Sequence, residues 1–374
     1  MSFARWPGLP SLVAGLLIGL FMVAGALPDP MGLATGSLYT EAPGHLWGLW
    51  GAADGMHQHG PLVRVIGADF PRGMHMHLMD PVNLIVFYPV FKLFGSDGPA
   101  AILAWNALHL AWPVVGALCC YALVRRVVGT NPALPWVALL ATTVTVGSSF
   151  FLIYHRQGRT EFLPALLYPL HLALLHRWMR RPDAIDDTEL SPSPPAWVGA
   201  AAAASLAGVA LGGWYLAVFA GITNAVLGLA WSRGLTVFER LWRLGLVASL
   251  ATLPLLPAAW ALLDVQGDRW LGSGGGDASD DRLGIPSYPL LVSLRLASPT
   301  LQGMMDSHAY LGLLPLCIGA IGAWRYRWQG ALWLGTALFV TVTAGGGSLV
   351  LGGGLTWFDG LSLPAAVLAD LVSP

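Results

Sequence analysis

Apolar residues fill this chain in long blocks separated by short polar breaks. A helix that crosses a bilayer needs about 20 apolar residues. Such runs cover 9–27, 99–124, 132–154, 162–178, 197–213, 214–231, 243–263, 308–324 and 329–346. The stretch 197–231 is one run broken by "GGWY" at 212–215, which reads as two short spans joined by a tight turn. The tail from Leu349 to Pro374 is apolar but interrupted by Gly352 to Gly354, Asp359 and Pro364, and reads as re-entrant, interfacial or a poor tenth span. The pattern predicts an all-α fold, a polytopic transmembrane helix bundle of about nine to ten spans forming one domain over residues 1–374.

Two stretches need a decision. The first run follows Arg5, and "AGA" at 24–26 resembles a signal-peptide cleavage site. Its length and the many runs after it favour an uncleaved first span. The second is "PVNLIVFYPVFKLFG", 81–95, which is short and holds Pro89 and Lys92. Suppose it does not cross and the N-terminus is cytoplasmic. Then Arg5, Arg125, Arg126, Arg177, Arg180, Arg181, Arg233, Arg240, Arg243, Arg325 and Arg327 all fall inside, as the positive-inside rule requires. The outside then collects most acids: Asp29, Glu41, Asp54, Asp69, Asp80, Asp97, Glu161 and the cluster from Asp277 to Asp281. If 81–95 crosses, the Arg pairs land outside. The stretch 81–95 is therefore expected to lie on the outer membrane surface. Two large outer loops follow from this topology. One is 28–98, carrying the surface helix, and the other is 264–307, containing the flexible "GSGGGDASDD".

Composition agrees. The 374 residues are 55% hydrophobic and 10% charged, with a mean hydropathy of +0.63. Soluble domains carry about 25% charged residues, so lipid is the natural solvent and the cell membrane the expected location. A net charge of −1 points to no nucleic-acid partner. Cys119, Cys120 and Cys317 lie inside apolar runs and imply no disulfide framework. The 17 tryptophans suit the two membrane interfaces.

The polar residues concentrate in the first outer loop. "ADFPRGMHMHLMDP", 68–81, holds His75 and His77 between Asp69, Arg72 and Asp80, and "GMHQHG" repeats the spacing with His57 and His59. In an extended segment residues i and i+2 point the same way. Each pair would then present two imidazoles to one metal, with Asp69 or Asp80 completing a site for zinc or copper. Against a metal stand the lack of a nearby cysteine and of an H-E-x-x-H motif. Ordinary polar loop residues are the plainer reading.

The order of features along residues 1–180 resembles the GT-C type of integral-membrane glycosyltransferase, which uses lipid-linked sugars. Those features are Glu41 just beyond the first span, "HLWGLW" at 45–50, "FPRG" at 70–73, "VFYPVFKLFG" at 86–95, a second span closing on Arg125 and Arg126, and "YHRQGRTEFLPALLYPLHLALLHR" at 154–177. The resemblance implies a sugar transferred from a polyprenyl-phosphate donor at the outer face of the cell membrane, in service of the cell envelope. Two departures stand. Members usually place Asp where this chain has Glu41. Many also continue past "LPAAVLADLVSP", so the resemblance implies a chain shortened at its C-terminus.

Sugar transfer needs a carboxylate to orient or deprotonate the acceptor, and positive charge to stabilise the departing phosphate. Glu41 is the first candidate acid, with Asp54 and Asp80 behind it. Asp80 also precedes Pro81, where it would serve as a helix N-cap. Arg156 and Arg159, in "HRQGRTE", are the candidate phosphate clamp. The alternative is a loop whose long side chains snorkel out of the bilayer. Lys92 either joins the phosphate site or meets lipid headgroups. His45, His57, His59, Arg72, His75, His77, His155 and Glu161 are expected to line the loop cavity. A divalent ion held by Glu41 and an aspartate, aiding departure of the phosphate, is a further option, as is a metal on His75, His77 and Asp80. Asn106 and His109, three apart on one helical face, are expected to make interhelical hydrogen bonds or to line a path. "GGGSLVLGGG" at 345–354 lacks the Lys-Ser/Thr of a P-loop and reads as flexible loop. The alternatives to an enzyme are a transporter or flippase-like protein, or a non-catalytic partner of a glycosyltransferase. The concentration of polar groups in outer loops favours surface chemistry over passage.

Overall fold

The computed structural model describes residues 6–37, 39–40, 42–60, 64–65, 74–75, 81–180, 194–212, 214–232 and 234–260, and, further on, 321, 325, 335, 349–351 and 355–357. Contacts divide the chain into two units. One is Met1–Gly147 with Tyr154–Gly267, and the other is Ser148–Ile153 with Asp268–Pro374. Among the described residues the fold is helical, apart from two small antiparallel ribbons. Among the described residues two helices are long and apolar enough to cross a membrane, Gly98–Val128 and Val237–Trp260. The expected spans at 308–324 and 329–346 and the loop 264–307 lie outside the described residues, save helical Ile321, Arg325 and Gly335.

In the first unit, α1 (Leu9–Val23) packs against α4 (Gly98–Val128) through small residues. Ser11, Gly15, Gly19 and Val23 form its buried stripe, one every fourth position. A Cβ at Gly15 would lie 2.6 Å from the Ala117 Cβ and 2.7 Å from the Pro113 carbonyl oxygen; one at Gly19 would lie 2.9 Å from the Leu110 carbonyl oxygen. Such small-xxx-small stripes let helix backbones approach closely, as they do in membranes. The other faces of α1 show Val13, Leu16, Leu17 and Phe21 exposed.

Helix α4 is central. Asp97 caps its N-terminus by accepting from the Ala100 N–H, and Pro99 occupies the first turn, where its missing N–H costs nothing. Arg125 and Arg126 close its last turn, where cations complement the helix dipole. Asn106 anchors the chain leaving α1. Its amide donates to the Pro30 and Leu33 carbonyls and its oxygen accepts from the Thr35 N–H and hydroxyl. Trp105 adds a bond from its indole N–H to the Thr35 carbonyl. The expected polar contact at Asn106 thus reaches a connecting segment, whereas His109 does reach another helix.

The described residues of 28–98 carry more regular structure than the one surface helix expected. It contains α2 (Ala42–His59), a ribbon pairing β1 (Arg64–Val65) with β2 (Met74–His75), and α3 (Pro81–Leu93). Helix α3 matches the predicted surface helix in extent. Val82, Asn83, Leu84, Phe87 and Phe91 are buried, while Ile85, Pro89, Lys92 and Leu93 are exposed.

Two predicted spans are interrupted. The run 132–154 forms α5 (Leu134–Val146) and α6 (Ser149–Gln157), parted at Gly147 and Ser148. The run 162–178 begins as a 3-10 helix, Thr160–Leu167, and becomes α7 (Tyr168–Met179). Pro164 and Pro169 lack the N–H that an α-helix would use there. The pair predicted around "GGWY" appears as α8 (Ala196–Gly212) and α9 (Trp214–Trp231). Helix α10 (Val237–Thr252) opens on a capping box of Thr236 and Glu239 and continues through a short 3-10 turn to Trp260. Only Val247 and Ala251 of α10 are buried, while Phe238 is 78% and Trp260 72% exposed. Apolar surface of that extent is matched to lipid or another apolar partner.

One end of these helices is basic and aromatic. The Arg126 Nε–H donates to His176 Nδ1 at 3.0 Å, Arg177 lies over the Trp197 ring, and Arg243 lies over the Trp178 ring and donates to its carbonyl. In the second unit, β3 (Leu349–Leu351) pairs with β4 (Leu355–Trp357). The glycine-rich stretch read as flexible loop therefore contains a strand.

Candidate functional site

The turn 155–161 is where the first unit converges. Helix α6 ends in a Schellman cap: the Gly158 N–H bonds the His155 carbonyl and the Arg159 N–H bonds the Tyr154 carbonyl. Gly158 takes φ +72°. A Cβ there would sit 2.3 Å from the Ala42 Cβ, so the first turn of α2 rests directly on this glycine. From α3, Asn83 donates to the Thr160 carbonyl at 2.9 Å and accepts from the Trp112 indole of α4. From α8, Gly212 packs against the Glu161 carbonyl oxygen, which a Cβ would approach to 2.8 Å. Four helices thus hold one polar turn.

Burial alternates along that turn. Gly158, Thr160 and Phe162 are buried, while Gln157, Arg159 and Glu161 are only partly so. Glu161 Oε2 meets His45 Nε2 of α2 at 3.4 Å, with the two side chains 26% and 27% exposed. The Arg159 guanidinium lies 5.7 Å from the centroid of the Tyr154 ring, which stacks on Phe162. A carboxylate and an imidazole therefore meet, with a guanidinium two residues away along the same turn, all partly exposed.

The structure corrects several expectations. His155 does not line an open cavity. It is 2% exposed and its ring Nδ1 lies 2.9 Å from His109 Nδ1. Enclosed by the bundle and bonded to His109, it does not face a phosphate. His57 and His59 lie in helix α2, not in an extended segment. The extended backbone that the paired spacing assumed is therefore absent at this pair. Asp54 is nine positions beyond His45, about half a turn round the helix, and accepts from Gln58 on that far side. Lys92 is nine positions beyond Asn83, which faces the turn; it is exposed and sits 5.9 Å from the Tyr88 ring centroid. Neither Asp54 nor Lys92 joins the cluster.

Glu41, Arg72, His77 and Asp80 lie outside the described residues. His59, His75 and Arg156 are described in their backbone alone: His59 near the end of α2, His75 opposite Arg64 in the ribbon, and Arg156 in the last turn of α6. Ala42, the residue after Glu41, is the one that rests on Gly158. Among the described residues no group of three His, Cys, Asp or Glu is placed to hold a metal ion.

Sequence reasoning passed over Gly158, Asn83, Trp112 and Thr160. Gly158 had a readable signal, a lone glycine ending the apolar period of α6. The others had none, because their partners are distant in sequence. No family model matches this chain, and no curated protein or solved structure matches it.

Proposed function

We propose that the chain is a membrane glycosyltransferase of the GT-C type, moving a sugar from a polyprenyl-phosphate donor at the outer face of the cell membrane. One observation carries this reading. A carboxylate and an arginine lie on a turn that four helices brace, and an imidazole of α2 meets the carboxylate, in a chain otherwise poor in charge. In the full reading nine to ten spans surround that site, the N-terminus is cytoplasmic, and the two long loops are outside. The basic, aromatic end formed by Arg126, Arg177 and Arg243 supports this orientation, since it lies at the opposite helix ends from the 155–161 turn.

In this mechanism Arg159, with Arg156 three residues before it, offers charge to the donor phosphate. Glu41 immediately precedes the first turn of α2 and orients or deprotonates the acceptor hydroxyl. A divalent ion on Glu41 and an aspartate would add charge at the phosphate. Glu41→Gln is expected to lower transfer from a labelled polyprenyl-phosphate sugar in membranes by about 10²–10⁴-fold. Undiminished transfer removes Glu41 from this role.

A second reading, a transporter or flippase-like protein, has an observation of its own. His171 of α7 lies between the Ala202 carbonyl of α8 and the Asn224 amide of α9, and the Tyr168 hydroxyl donates to that same amide oxygen. Buried polar groups among apolar helices mark substrate or ion paths in transporters. Wild-type membranes that transfer no sugar from any donor in a panel of polyprenyl-phosphate hexoses and pentoses would favour this reading or that of a non-catalytic partner.

A further inference from the structure

We infer that His45 and Glu161 work as one proton-accepting pair, with His45 as the base and Glu161 as the group that orients it. The inference rests on the glycosyltransferase reading and assigns the proton transfer within it.

The geometry has three parts. First, the pair joins two elements that are locked together. His45 lies in the first turn of α2, and that turn is seated on Gly158, three residues before Glu161. Second, the surroundings of Glu161 are fixed. Its neighbours Thr160 and Phe162 are buried, its own carbonyl is pressed by Gly212, and Thr160 is tied to Asn83. Third, the oxygen turned to His45, Glu161 Oε2, is shielded from solvent, while each side chain keeps about a quarter of its surface open. A shielded carboxylate against one ring nitrogen of a reachable imidazole is the arrangement that sets a histidine's tautomer and orients its ring. Apo contacts of this kind are commonly longer than in the working complex, which accommodates the 3.4 Å separation.

Its chemistry follows. When the pair closes so that Glu161 accepts the Nε2–H, Nδ1 carries the lone pair. The acceptor oxygen forms its bond to the anomeric carbon while its proton passes to His45 Nδ1. The bond from the anomeric carbon to the phosphate oxygen breaks, and its electron pair leaves with the polyprenyl phosphate. Arg159 in the same turn offers charge to that phosphate. The imidazolium then returns its proton to solvent. Glu41 keeps the orienting role.

The test uses the full chain in proteoliposomes with a panel of polyprenyl-phosphate hexoses and pentoses labelled in the sugar. Glu161→Gln and His45→Ala are each expected to lower turnover about 10²–10⁴-fold, with KM changed less than about threefold. The double variant should fall within about threefold of the worse single variant, because the residues act as a unit. Added imidazole should raise His45→Ala turnover by at least about tenfold, which a misfolded variant would not allow. An active wild type with a Glu161→Gln variant as active as itself, losses that multiply, or no rescue by imidazole would overturn the pair alone. A wild type inactive on every donor would overturn the glycosyltransferase reading and the pair with it.

Discussion

Alanine at Gly158 should cripple both stability and transfer. Two independent costs meet there. The positive φ of 72° disfavours any side chain, and the new Cβ would overlap Ala42 at 2.3 Å. The contact cannot be relieved by rotating a flexible group, because the nearest atoms are a methyl and the Ala42 backbone. The backbone conformation costs about 1–2 kcal/mol and the overpacking about 1–3 kcal/mol. To relieve the overlap, the first turn of α2 must lift from the turn that carries Arg159 and Glu161. A displacement of about 1 Å at a reacting centre costs about 10²-fold in rate. Gly60→Ala isolates the first cost, since Gly60 also has positive φ but nothing within 4 Å of a new Cβ. Thermal unfolding in detergent and a transfer assay should show Gly60→Ala mildly destabilised, and Gly158→Ala both more destabilised and at least about 10²-fold slower. Equal behaviour of the two variants would mean that α2 does not rest on this turn.

Leucine at Gly15 should detach α1 from the bundle. A Cβ alone would meet the Pro113 carbonyl oxygen at 2.7 Å and the Ala117 Cβ at 2.6 Å. Both belong to α4, whose backbone is fixed by its contacts with α3, α5 and α7. Neither helix can yield locally, so the helices must separate and the stripe Ser11, Gly15, Gly19 and Val23 loses its contacts together. The expected loss is about 1–3 kcal/mol or more. Leu17→Ala is the contrast, because Leu17 is 61% exposed on α1 and surface changes usually stay within about 0.5 kcal/mol. Denaturation of the detergent-solubilised protein followed by tryptophan fluorescence should place Gly15→Leu well below wild type and Leu17→Ala beside it. A wild-type midpoint for Gly15→Leu would contradict the α1–α4 contact.

Much of the helical frame was legible from apolar run length and from punctuation. Helix α3 shows this best: Pro81 suits a first turn, and Gly95 stands two residues past its last residue, Leu93. Boundaries failed where the apolar signal continued across a break. In 132–154 the composition stays apolar, yet Gly147 and Ser148 divide it into α5 and α6. Helix α2 was missed for the opposite reason. "APGHLWGLWGAADGMHQH" mixes apolar and polar residues without a strong helical period, and the alternation of His57 and His59 imitates a strand.

The site was legible as a list and not as an arrangement. "HRQGRTE" stands out in sequence as a polar island. Nothing local to it shows that His155 turns inward to His109 while Glu161 turns toward His45. Those pairings depend on how distant helices seat against one another. Asn106 illustrates the same limit. Its place on a helix face with His109 was readable, but its partners are the carbonyls of Pro30 and Leu33, more than seventy positions away.

The most direct test of the account is where a lipid-linked sugar binds. A photoreactive polyprenyl-phosphate sugar, cross-linked to the protein in membranes and mapped by mass spectrometry, is predicted to label the α2 segment 42–60 and the segment 154–167. Unlabelled donor should compete that label away. Label confined to the basic end, around Arg126 and Arg243, or label that excess donor does not displace, would contradict it.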